Sequence, residues 1–125
     1  MKEAYWLANV RGISARKKRR LVETAGSARD VYSLTERQIR RLAILTAAEQ
    51  DALIAGKACD ADRGYAALGA QGITFVSIGD EDYPDRLTAL PDAPFGLYVK
   101  GRLPDPERKQ VAVVGARMCS EYGRA

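Results

Sequence analysis

The sequence contains no histidine, so imidazole acid–base chemistry and histidine-ligated metal are excluded for these 125 residues. Cysteine is scarce. Cys59 and Cys119 stand in dissimilar contexts without a CxxC partner, which reads as two reduced, partly buried thiols of a cytosolic protein and not as a disulfide framework. No apolar run is long enough to span a bilayer and no secretory leader is legible, so the expected location is the cytoplasm, with no membrane partner. No nucleophile, general base or metal cluster is assembled either. The expectation is a non-enzymatic protein with no catalytic residue, no metal and no cofactor.

What the chain does have is an uneven charge. The formal net charge is +4, yet residues 1–41 carry eleven Lys or Arg against four acids, while the remainder carries nine against twelve. The basicity belongs to the first third. Such a segment suits a polyanion such as nucleic acid, although a solvated helix face gives the same count and is the commoner cause.

The first third is helical by pattern. Glu3 to Val10 reads as a short helix ending before Arg11-Gly12. Ser14 is placed to cap a second helix running to about Ala25, with Gly26 as its stop. On that helix Leu21, Val22 and Ala25 share one side, and Arg16, Arg19, Arg20 and Glu23 the other. Lys18 projects toward the apolar side. Either its stem lies along the core with the ammonium reaching water, or the helix starts elsewhere. Ser27 and Asp30 mark another helical turn through Tyr32. Thr35 with Gln38 is a capping box, Leu34 with Ile39 its hydrophobic staple, and Ile39, Leu42 and Ala43 are expected to face inward. A second box, Thr46 with Glu49, opens what reads as one longer helix with Ile54, Ala58, Ala61, Tyr65 and Leu68 in a stripe, ending between Gly69 and Gly72.

At Ile73 the period changes. Ile73 to Ile78 reads as a strand, followed by a polar turn, a loop with three prolines that admits one helical turn at most, and a second strand from Leu97 to Lys100 closed by Gly101. Val111 to Val114 is a short apolar run suited to a strand buried on both faces of a parallel sheet. The expected organisation is α/β overall: an all-α domain over residues 1–70, then the start of a second domain over 71–125.

The final stretch carries the candidate site. After the strand at Val111, Gly115 permits a sharp turn and Ser120 is a plausible N-cap for a helix entering through Tyr122. A strand end feeding a helix N-terminus gathers unpaired amides and the positive end of the helix dipole, which suits an anion. The second glycine of a dinucleotide fingerprint is missing, so the backbone does not crowd a pyrophosphate as in nicotinamide enzymes. Arg117 occupies the turn instead. A planar guanidinium beside helix-end amides suits a nucleic-acid phosphate without base preference; the alternative is that Arg117 pairs with a carboxylate and Ser120 only caps. The expected helix has hardly begun at Ala125, which reads as a fragment of a longer protein.

Two resemblances follow from the residues. Leu7 to Lys18 resembles a helix-hairpin-helix, whose glycine hairpin offers amides to a DNA phosphate, except that Gly12-Ile13 is followed by Ser14 where glycine is usual. Tyr83-Pro-x-x-Leu87, Pro94-x-x-Leu97-Tyr98, Lys100-Gly101, Val113-Val-Gly-x-Arg117, Ser120 and Tyr122-Gly123 resemble, in order and spacing, the signature of the DNA-processing protein A family, also called Smf. That resemblance covers Gly69 to Ala125; the helical part is similar to the family's sterile-alpha-motif-like or helix-hairpin-helix domain.

The resemblance implies an extended Rossmann-like parallel-sheet domain that binds single-stranded DNA, a homodimer, protection of incoming DNA in natural transformation, and help in loading the RecA recombinase. It implies DNA-phosphate contacts from Gly115, Arg117, Ser120 and Gly123, with Lys100, Arg16, Arg19 and Arg20 as auxiliary contacts. Two other classes stay open: a nucleotide-processing Rossmann-like hydrolase holding a nucleoside monophosphate at the same sheet edge, and a helical bundle that binds a protein partner or another copy of itself.

Overall fold

The computed structural model describes residues 2–103, 105, 107–109 and 111. Of the strand expected over 111–114, only Val111 is described, exposed and outside any strand; the turn at Gly115 and the helix after Ser120 lie outside the described residues.

Six helices come first: α1 (Lys2–Asn9), α2 (Ala15–Ala25), α3 (Ala28–Tyr32), α4 (Glu36–Arg40), α5 (Ala47–Gly56) and α6 (Ala61–Ala70). Most of their starts are set by local side-chain chemistry. The Ser14 hydroxyl accepts from the Lys17 amide at 3.2 Å and Ser27 accepts from the Asp30 amide at 3.1 Å. Thr35 with Gln38 and Thr46 with Glu49 both form the full reciprocal capping box. Each cap satisfies a donor that the first turn leaves orphaned, a contribution of about 1 kcal/mol. Gly26, at φ 109°, ends α2 and donates to the Val22 carbonyl at 2.8 Å.

The core forms around α1, which touches α2, α3, α6 and both strands. Trp6, Leu7 and Val10 join Leu21, Val31, Ile39, Leu45 and Leu53, and the same cluster continues into Phe75 and Phe95. Leu7, Leu21, Val31, Ile39 and Leu53 are the largest side chains fully removed from water, each stabilising the fold by about 2 kcal/mol through burial.

Three helical expectations are corrected. The single long helix after Thr46 is two helices, α5 and α6. Asp60 starts the second by accepting from the Arg63 amide at 3.1 Å. The break is where α1 docks: the Trp6 indole donates to the Gly56 carbonyl at 2.9 Å, and a Cβ at Gly56 would stand 3.0 Å from a Val10 methyl. Ala43 is exposed, because α4 ends at Arg40 and the chain has already left helical geometry. Lys18 does lie along the core, but its ammonium does not reach water freely. It is 7% exposed and donates to the Ala8 carbonyl, in the last turn of α1, at 2.8 Å.

After Gly72 the chain forms β1 (Ile73–Ser77), one turn of helix α7 (Asp85–Thr88) and β2 (Gly96–Lys100). These two strands pair antiparallel, with Ile73 opposite Lys100, Phe75 opposite Tyr98 and Ser77 opposite Gly96; the parallel sheet expected with the strand at Val111 lies outside the described residues. A parallel pair needs a crossover spanning a face of the sheet, and the proline loop with its single turn instead folds the chain straight back. Tyr83 holds the loop's waist, its hydroxyl donating to the Pro94 carbonyl at 2.6 Å, while the Asp80 carboxylate accepts from both the amide and hydroxyl of Ser77.

The hairpin is fastened to the helices by aromatic packing. Phe75 meets Tyr5 edge-on at 5.7 Å and Tyr98 at 5.5 Å, and Tyr5 meets Tyr65 at 5.7 Å. The Phe75 ring covers Gly96, where a Cβ would fall 2.3 Å from it, so position 96 admits hydrogen alone.

Candidate nucleic-acid interface

A short turn over residues 11–13 joins α1 to α2. Gly12 takes φ 89°, Ile13 is buried, and Ser14 caps α2. The cations following it are differently occupied. Lys17 pairs with Glu49 at 2.5 Å, which holds the Glu49 carboxyl below its usual range. Lys18 is turned into the core, where burial pushes its pKa down. Arg16 reaches Asp92 of the proline loop at 3.1 Å, and Arg19 donates to the Thr88 carbonyl of the same loop at 3.2 Å while lying 3.6 Å from Glu23. Burial raises the pKa of the nearby Tyr83 phenol, an effect that the Arg19 charge partly offsets. Arg20, alone of the three α2 arginines, has no side-chain partner among the described residues.

This contact brings together two stretches that the sequence separates by some seventy residues. The basic face of α2 is the seat on which the proline loop rests. Elsewhere in the helices the pattern repeats: Lys2 pairs with Asp62, Arg29 with Glu3, Arg40 with Asp51, and the Lys57 ammonium donates to the Leu34 carbonyl beside the Tyr32 ring. Burial lowers the pKa of Lys57 as it does that of Lys18.

Past the loop the described cations are exposed. Lys100, at the exit of β2, is exposed, and its side chain has no ion-pair or hydrogen-bond partner among the described residues; the same holds for Arg102, Arg108 and Lys109. Gly101, at φ 94°, turns the chain between the first two. Sequence reading singled out Lys100 and passed over the other three. Their signal was present, since this stretch offers only Asp105 and Glu107 as local acids, and the Asp105 carboxylate already accepts from the Glu107 amide at 2.9 Å. Gly115, Arg117, Ser120 and Gly123 lie outside the described residues.

Among the described residues no group of three or more Cys, Asp or Glu side chains is arranged to hold a metal ion, and no helix is long and apolar enough to cross a membrane.

Comparison with known proteins points to one family. Residues 74–125 match the family described as DNA recombination-mediator protein A. Over 44 residues the chain is 43% identical to Protein Smf of Borreliella burgdorferi, a stretch that takes in 35% of this chain and 14% of that protein. No solved structure matches. The matched segment holds the proline loop, β2, the exposed cations after it and Arg117, and over that segment the chain is similar to the DNA recombination-mediator protein A family and to Protein Smf.

Proposed function

We propose that this chain contributes to a single-stranded DNA-binding mediator of recombination, which protects incoming DNA in natural transformation and helps load the RecA recombinase, acting as a homodimer in the cytoplasm and not as an enzyme. The observation that carries the reading is the family match over residues 74–125, within which four exposed cations, Lys100, Arg102, Arg108 and Lys109, have no partner among the described residues. Unpaired lysines and arginines on an exposed segment supply the sequence-independent attraction that a phosphate backbone needs.

Arg117 is the central phosphate ligand in this reading, with Ser120 and the backbone at Gly115 and Gly123 beside it. Lys100 and Arg20 serve as ready auxiliary contacts. Arg16 and Arg19 join only by giving up Asp92 and the Thr88 carbonyl.

Arg117→Ala in the full-length protein is expected to weaken single-stranded DNA binding by about 1–3 kcal/mol and to flatten its salt dependence. Fluorescence anisotropy over a salt series measures both. Equal affinities and equal slopes for the two proteins would overturn the assignment.

A further inference from the structure

An open groove of about 220 Å³ lies between α6 and β1, lined by Tyr65, Leu68, Gly69, Ile73, Thr74 and Phe75. Its β1 wall continues across the hairpin. Phase and register put Ile73 and Phe75 on the same sheet face as their cross-strand partners Lys100 and Tyr98. The groove, one aromatic ring and one exposed ammonium therefore share a single surface.

Tyr98 is an unusual occupant of that surface. It is 51% exposed, among the most open large side chains described, yet it is held in place. Its hydroxyl accepts from the Asn9 amide at 3.0 Å, and its ring is set against Phe75 at 5.5 Å and edge-on to Tyr5 at 6.4 Å. A solvent-facing tyrosine fixed from three sides has already lost the rotamer freedom that a ligand would otherwise have to remove. Two residues along the same strand, about 7 Å away by strand rise, Lys100 is exposed and unpaired among the described residues.

We propose that Tyr98 and the adjoining groove form a stacking platform for one base of single-stranded DNA, with Lys100 meeting a phosphate of the same strand. An aromatic face beside a cation is the recurring unit of sequence-tolerant single-strand binding: the ring accepts any base, and the cation tracks the backbone. The apolar lining of Leu68, Ile73 and Phe75 suits the faces of a base better than a sugar or a phosphate. This inference rests on the DNA-binding reading above and adds to it a contact to the bases, which a phosphate clamp at Arg117 does not supply.

The test compares a thymidine oligonucleotide with the same backbone made abasic, titrated against the full-length protein at fixed salt. The wild type is expected to prefer the thymidine strand by about tenfold, the usual scale of one stacked base. Tyr98→Leu removes that preference and leaves abasic affinity unchanged. Tyr98→Phe, which keeps the ring and gives up only the Asn9 bond, retains it. Lys100→Ala weakens both strands alike. A merely structural tyrosine would lower both affinities together in Tyr98→Leu, and that outcome overturns the proposal, as does a preserved preference. If Tyr98→Leu abolishes self-association in mass measurements together with all DNA binding, the surface belongs to a second copy of the chain and the proposal also falls. Failure of the wild type to bind either strand would instead remove the DNA-binding reading itself.

Discussion

Residues 2–70 and residues 71–109 handle their cations in opposite ways. In the helical part most of the described lysines and arginines are spent inside the molecule, on Asp62, Asp92, Glu49, Asp51, Glu3 or a backbone carbonyl. In the hairpin part Lys100, Arg102, Arg108 and Lys109 have no such partner among the described residues. The region with the larger positive count thus leaves the smaller share of its cations unpaired. A basic composition measures how many cations exist; only contacts tell how many remain for a polyanion.

The two regions nonetheless share one core through Phe75 and Phe95, and the sharpest way to test that joint is Gly96. Gly96→Ala places a methyl within the Phe75 ring, and the expected cost is about 1–3 kcal/mol of overpacking. One cooperative transition, shifted equally by far-ultraviolet and aromatic circular dichroism, is the expected result in denaturant. A helical signal that melts as in wild type while the aromatic signal is lost would show two separable regions, the division that the change of period suggests near residue 70.

A smaller effect follows from Lys18. Its pKa in the fold is lowered by burial, so through the window between that depressed value and the usual lysine value of 10.5 the unfolded chain binds more protons than the native one. Stability from this group therefore rises with pH across that window. Lys57 acts in the same direction, while raised Tyr83 acts oppositely as pH climbs past the ordinary phenol value. Subtracting the pH–stability curve of Lys18→Met from that of wild type isolates the Lys18 contribution, expected as a positive slope. A flat difference would mean that this ammonium is as well solvated as those after β2.

The smallest effect is expected at Arg16 and Asp92. Both are largely exposed, so a double-mutant cycle is expected to give a coupling below about 1 kcal/mol that fades with salt. A coupling that persists in high salt would mark the seat of α2 on the proline loop as a firm structural joint, and would sharpen the contrast with the free cations beyond it.

Much of the helical part was legible because its signals are local. A serine or threonine three residues before the amide it accepts from marks Lys17, Asp30, Gln38 and Glu49 without reference to the rest of the chain. The candidate site was legible in another sense. Lys100 was recognisable as a lysine at a strand end, but its freedom from partners, and its place beside Tyr98 and the α6–β1 groove, depend on the register of two strands and on what packs against them.

The sequence by itself determined where four helices start, where glycine ends α2, and that the proline loop holds no more than one helical turn, since each depends on residues within a turn of one another. Tertiary structure decided the rest. It broke the long helix at Gly56 so that Trp6 could reach its carbonyl, gave the Lys18 ammonium the end of α1, committed Arg16 and Arg19 to the loop, and turned the two strands against each other. Each of these joins groups far apart along the chain, and their energies exist only once the core has brought them within contact distance.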